Sequence, residues 1–206
     1  MPAIRTVFAA ALLPLLLALA SCASMSKEEC VSADWRVVGE TDGAAGHDPQ
    51  SRFAAHTKAC QKVGIVPDQT MWFEGYQQGL VRYCTPLNGL SSGQAGRTYY
   101  NVCPQASADG FLRGYRLGRA EYTKRQTVQS LNSQIRGVEG QSNEVDKLLA
   151  AGELDEQEAR ARQFRYRRDI ARLRLELQQA ERELSVIQRD TEIFASNPDI
   201  VLPPRY

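Results

Sequence analysis

The sequence predicts a mainly α protein, in which a small disulfide-stabilised, Gly/Tyr-rich helical head is followed by a long antiparallel α-helical hairpin, or coiled coil. Three observations predict it. Four cysteines, Cys30, Cys60, Cys84 and Cys103, lie behind an export-type N-terminus. Glycines and aromatic residues recur at helical spacing between Gly39 and Gly118, a stretch that holds twelve of the fifteen glycines. Two heptad seams follow, one on each side of Gly152.

Residues 1–21 read as a lipoprotein signal peptide. Arg5 is a short basic head, and the apolar run from Val7 to Ala20 falls short of the roughly 20 residues that a membrane-spanning helix needs. Leu19-Ala20-Ser21-Cys22 then resembles the lipobox of bacterial lipoproteins, with an aliphatic residue, two small residues for a peptidase cleft and a thiol to be acylated. The resemblance implies that Cys22 is the lipidated first residue of the mature chain and holds it to a membrane. Each buried methylene of the acyl chains contributes about 0.8 kcal/mol to that anchor. It also implies a sorting rule: Ala23 and Ser24 stand where Asp would retain the protein in the inner membrane, so the expected address is the periplasmic face of the outer membrane. Residues 22–33 are then a short tether.

Cys22 apart, an even number of cysteines remains in an oxidising compartment, so two disulfides are expected. Three pairings are open to four cysteines. Closure within local units favours Cys30 with Cys60 and Cys84 with Cys103, each worth about 3 kcal/mol on the chain-entropy model. Metal ligation is the weaker use, because His47 and His56 are the only histidines available.

The head spans residues 34–118. Asp48 caps a helix with Pro49 at its first position, and Phe53, Thr57, Cys60 and Val63 share a face until Gly64 stops it. Pro67 and Asp68 introduce a second helix carrying Trp72, Tyr76, Leu80 and Tyr83. Thr85-Pro86-Leu87-Asn88-Gly89 reads as a break, with a glycine loop through Gly93 and Gly96 and a third helix near Ser107. A repeat joins the last two helices: Trp72-x-x-Gly75-Tyr76-x-x-Gly79 returns as Phe111-x-x-Gly114-Tyr115-x-x-Gly118. Glycine inside a helix costs about 1 kcal/mol against alanine, so the simplest compensation is that these two helices cross each other at their glycines.

Residues 119–196 form the hairpin. Val128, Leu131, Ile135, Val138, Ser142, Val145 and Leu149 alternate by three and four, as do Tyr166, Ile170, Leu173, Leu177, Ala180, Leu184, Ile187, Thr191 and Phe194. Gly152 supplies the stop, while Asp155 and Glu158 supply an Asp-x-x-Glu restart. Folding there sets Val138 near Ile170, Ile135 near Leu173 and Leu131 near Leu177. Residues 197–206, with Pro198, Pro203 and Pro204, form an extended tail.

Asp34-Trp35, Gly39, Asp42-Gly43, Gly46, His56 with Cys60, Tyr76 with Gly79-Leu80, Tyr83-Cys84, Asn88-Gly89, Gly93, Gly96, Tyr99, Val102-Cys103-Pro104 and Gly114-Tyr115 with Gly118 resemble, in this order, bacterial lipoproteins of the domain of unknown function 2799 family. The resemblance covers about residues 30–120. It implies an exported, anchored protein and brings no catalytic residues with it.

The chemistry legible in the chain is sparse. A formal charge of +1, from 25 basic and 24 acidic residues, argues against a nucleic-acid binder. Among Asp34, Asp42, His47 and His56 no two stand at a recognised catalytic spacing, Asp42-Gly43 reads as a turn, and the Gly89–Gly96 segment lacks the Lys-Ser/Thr ending of a phosphate loop. No catalytic residue, metal or cofactor is therefore assigned. Arg160, Arg162, Arg165, Arg167, Arg168, Arg172 and Arg174 concentrate positive charge on the second hairpin helix, either as a solvated face balanced by Glu139, Glu144 and Asp146 or as an anion-binding surface. The expected function is a non-enzymatic structural or protein-interaction module with an envelope protein partner bound through the hairpin. The alternative is a glycan-binding protein or cell-wall hydrolase stacking sugars on Trp35, Trp72, Tyr76, Tyr99 and Tyr115.

Overall fold

The computed structural model describes residues 25–200, so the expected signal peptide, the expected lipidation site Cys22 and the last residues of the expected tail lie outside the described residues. The described chain is mainly helical, without strands, and carries two disulfides. Its helices are α1 (Lys27–Ser32), α2 (Trp35–Ala45), α3 (Pro49–Cys60), α4 (Gln69–Tyr83), α5 (Pro86–Gln94), α6 (Gln105–Ala150) and α7 (Glu156–Ser196). None of them is long and apolar enough to cross a membrane.

Side-chain caps start most of these helices. Ser26 and Glu29 form a reciprocal box on α1, and Asp34, Asp48, Asp68, Thr85 and Asp155 each accept backbone N–H bonds at a first turn. Pro49 and Pro86 occupy first-turn positions where the missing N–H is not needed. Gly64 and Gly152 close their turns in the left-handed conformation, as their positions in the sequence predict.

Three expectations are corrected. Asp42-Gly43 is not a turn but the interior of α2, and the glycines from 89 to 93 lie in α5 rather than a loop. The supposed crossing of Gly75 and Gly79 with Gly114 and Gly118 does not occur. Instead α4 packs on α2 and α6 packs on α5: a Cβ placed on Gly75 or Gly79 would overlap the carbonyls of Arg36 and Glu40, and one on Gly114 or Gly118 those of Pro86 and Leu90. The reciprocal glycines behave alike, since Gly39 and Gly43 face the carbonyls of Trp72 and Tyr76, while Gly89 and Gly93 face those of Phe111 and Tyr115. Glycine's local cost in a helix is thus offset at each junction by two backbones in direct contact.

The two junctions are copies. Gly39, Gly43 and Gly46 recur 50 positions later as Gly89, Gly93 and Gly96, while Trp72, Gly75, Tyr76, Gly79 and Tyr83 recur 39 positions later as Phe111, Gly114, Tyr115, Gly118 and Tyr122. The bonds repeat with the residues. Tyr76 donates its hydroxyl to the His47 carbonyl at 2.6 Å and Tyr115 does so to the Arg97 carbonyl at 2.7 Å. Gly46 and Gly96, both left-handed, lie against the rings of Tyr83 and Tyr122, where no side chain would fit. Tyr83 and Phe111 lie within one aromatic core that also holds Trp72, Tyr76 and Leu80 and so spans both halves. Cys84–Cys103 fastens the start of the second half to the segment before α6, and Cys30–Cys60 fastens α1 to the end of α3, in the pairing that local closure favours.

Helix α6 passes residue 118 without a break. Its second part packs against α7 around Leu131, Ile135, Leu173 and Ala180, with Val128, Val138 and Leu177 beside them. Ser142 donates to Gln163, Arg174 reaches Glu139 and Lys124 reaches Glu183, so positions rise on one helix as they fall on the other. The chain returns to the second half at its end, where Ile187 and Phe194 join Leu90 and Leu117, with Ile200 packed beside them.

Candidate functional site

The first half carries a charged cluster that the second half lacks. Asp42 sits one position before Gly43 on the inner face of α2 and is 2% exposed. Helix α3, present only in the first half, folds back so that the i, i+4 pair Arg52 and His56 reaches it. Arg52 Nε donates to Asp42 Oδ1 at 2.7 Å, His56 Nε2 pairs with Oδ2 at 2.7 Å, and Trp72 Nε1 donates to Oδ2 at 3.0 Å from α4. Burial pushes the Asp42 carboxyl up, but the bonds from His56, Arg52 and Trp72 outweigh it and hold the group below the usual carboxylate range. His47, just beyond the Gly46 cap of α2, is pushed down by burial and by the Arg52 charge.

In the second half Ser92 replaces Asp42 and Phe111 replaces Trp72. Neither brings a charge, and the eight-residue interval from Arg97 to Pro104 has no helix in place of α3. The zipper of glycines and tyrosines therefore forms without the cluster. What Asp42 adds is the attachment of α3, whose apolar contribution to the shared core is limited to the half-buried Phe53.

The pair also lines a cavity of about 310 Å³ together with Glu29, Ser32, Thr41 and Arg52, with α1 beside it through the Cys30–Cys60 bridge. A carboxylate has no proton to give at neutral pH, so His56 Nε2 is the donor in its bond to Asp42. His56 is 1% exposed and Nδ1 has no hydrogen-bond partner among the described residues. Chemically this is the orienting half of a nucleophilic triad, while the hydroxyls of Ser32 and Thr41 in the same cavity donate to the Glu28 and Val37 carbonyls rather than to His56.

The sequence missed this pair because Asp42 and His56 are fourteen positions apart on different helices. The signal present was the i, i+4 spacing of Arg52 and His56 together with a carboxylate on the glycine face of α2.

The residues singled out from sequence are dispersed. Trp72 and Tyr76 are 2% and 1% exposed, enclosed in the aromatic core, and Trp35, Tyr99 and Tyr115 are half-buried around it. The Tyr99 hydroxyl accepts from the Cys103 amide at 3.2 Å. The hydroxyls of Tyr76, Tyr99 and Tyr115 are committed to backbone groups. The candidate acids and bases Asp34 and His47 do not join the cluster through hydrogen bonds: Asp34 caps α2, and the His47 carbonyl receives Tyr76.

On α7, Arg160 and Arg162 bond Glu156 and Glu158 one turn back, Arg172 bonds Glu176, and Arg174 crosses to Glu139 at 3.0 Å. Arg167 donates to the Gln163 carbonyl at 3.4 Å, while Arg165 and Arg168 have no partner among the described residues. Of the expected balancing acids, Glu139 faces the cluster, whereas Glu144 pairs with Lys147 and Asp146 accepts from Gln163.

A family model described as "Protein of unknown function (DUF2799)" matches residues 34–144, which take in both glycine junctions and the first part of α6 beyond them. No curated protein and no solved structure matches the chain.

Proposed function

The chain belongs to the DUF2799 family of proteins of unknown function, and from that premise we propose that it is an outer-membrane-anchored periplasmic lipoprotein, a non-enzymatic structural or protein-interaction module. In this reading the Gly/Tyr-rich head sits near the anchor and a coiled-coil hairpin of α6 and α7 reaches outward to an envelope protein.

One observation carries it: α6 is a single helix of 46 residues that begins inside the second glycine junction and ends at the far turn. A continuous helix rooted in a disulfide-stabilised core carries its distal part as one piece, as a presenting arm requires. The outward face of that arm supports the same reading. Phe164 and Leu175, 66% and 67% exposed, lie eleven residues apart and so on one side of α7, with the unpaired Arg168 between them. The enclosure of Trp72 and Tyr76 favours packing over sugar stacking for those rings.

The test is periplasmic crosslinking of the intact chain against one lacking residues 123–195. Recovery of an envelope partner only with the intact chain is expected, and the same partners from both would overturn the arm. Cys22→Ala is expected to abolish palmitate labelling and release the chain from the membrane fraction; retained label would overturn the anchor.

A further inference from the structure

We propose that the groove where α7 returns to the second half binds a single-chain lipid with an anionic phosphate head. A cavity of about 820 Å³ opens there between α6 and α7, within the roughly 300–1,000 Å³ that small-molecule sites occupy. Ala120, Val186 and the buried Ile187 give it an apolar wall. No larger side chain at position 120 fills the space.

Charge selects the head group. Arg116, Arg119 and Lys124 border the cavity against one carboxylate, Glu183, which Lys124 bonds at 2.5 Å. Arg119 is held by the Gly96 carbonyl at 3.0 Å and lies over the Tyr122 ring, so it is oriented but still cationic. Arg116 is exposed and has no hydrogen-bond or ion-pair partner among the described residues. A free guanidinium beside an apolar wall fits a phosphate with an acyl chain behind it, because guanidinium donates to phosphate through two parallel N–H bonds.

The first half supplies an independent argument. At the positions equivalent to Arg116 and Arg119 it has Gln77 and Leu80. The glycine junction is therefore built without a charge at the position of Arg116, and packing does not account for that residue, whereas Arg119 also ties the Gly96 carbonyl.

The purified full chain, titrated by native mass spectrometry below the micelle concentration, is the test. Lysophosphatidylglycerol is expected to bind as one molecule about tenfold more tightly than lysophosphatidylcholine of the same chain length, and Arg116→Glu, at an exposed site, is expected to erase that preference. Ala120→Phe, with its fold checked by circular dichroism, is expected to weaken both lipids. Equal affinity for the two head groups, or a preference surviving Arg116→Glu, overturns the phosphate assignment. Absence of saturable binding overturns the site.

Discussion

The two halves solve the same packing problem and differ in what they place beside the solution. In both, paired glycines let two helix backbones touch, a tyrosine ties the following carbonyl, and a left-handed glycine makes room for a second tyrosine ring. The first half gathers the buried Asp42 and His56, the half-buried Arg52 and an indole N–H, along with the helix that delivers them, whereas the buried carboxylate of the second half, Glu121, accepts from Gln94 of α5 and needs no added helix. The difference teaches that the glycine–tyrosine junction is the frame, and that the Asp42 cluster is a fastening for an inserted helix.

The largest expected effect breaks the frame in both halves alike. Gly43→Leu and Gly93→Leu each drive a side chain into a carbonyl of the opposite helix and are expected to destabilise by more than about 4 kcal/mol, read as loss of cooperative urea unfolding. Tolerance of either substitution at a cost below about 1 kcal/mol would end the claim that the junctions are equivalent.

Asp42→Ser gives the first half the residue of the second, and it strands the buried donors of His56 and Trp72 together with the half-buried Arg52. A loss of about 3–5 kcal/mol is expected, against less than about 1 kcal/mol for Ser92→Ala. The pH dependence separates them further. Because the folded Asp42 titrates below its ordinary value, its stabilisation is present above the unfolded value near 4 and is lost as pH falls through the folded one. The wild-type chain should therefore lose stability on acidification in a way that Asp42→Ser does not, and urea midpoints at neutral and acid pH that shift equally in both would count against the cluster.

A smaller contrast concerns the tyrosine ties. Tyr76→Phe removes a hydrogen bond in a buried setting and is expected to cost about 1–1.5 kcal/mol, whereas Tyr115→Phe, at a half-buried ring, should cost about 0.5 kcal/mol. Reversal of that order in urea titrations would place the tighter core in the second half. Smallest is Gly137→Ala, on an open stretch of α6 where an added Cβ meets nothing; a gain of up to about 1 kcal/mol is expected from helix propensity alone. A loss there would reveal a close contact on that face.

Much of the molecule was legible because its causes are local. The seams of α6 and α7 are periodic, so the facing positions Leu131, Ile135 and Leu173 follow from counting outward from Gly152. The caps Asp48, Asp68 and Asp155 announce themselves for the same reason. Two disulfides follow from the even cysteine count, and of the three open pairings the observed one is that favoured by local closure.

What was not legible depends on distant partners. Gly39, Gly43, Gly89 and Gly93 look like turn residues, since glycine disfavours an isolated helix and only the opposing backbone reverses that preference. The spacing Gly39-Gly43-Gly46 repeated at Gly89-Gly93-Gly96 was the available sign, and it becomes meaningful once each set is given its own partner. Asp42 and His56 were visible as residues but not as a pair, because a helix insertion brings them together.

The continuity of α6 makes the second junction a pivot. Past Gly118 the helix extends for roughly 48 Å at 1.5 Å per residue, so a tilt of only about 5° where Gly114 and Gly118 touch α5 moves the far turn by roughly 4 Å. A contact made at the tip of α6 and α7 and a change at the glycine contact are therefore the two ends of one lever.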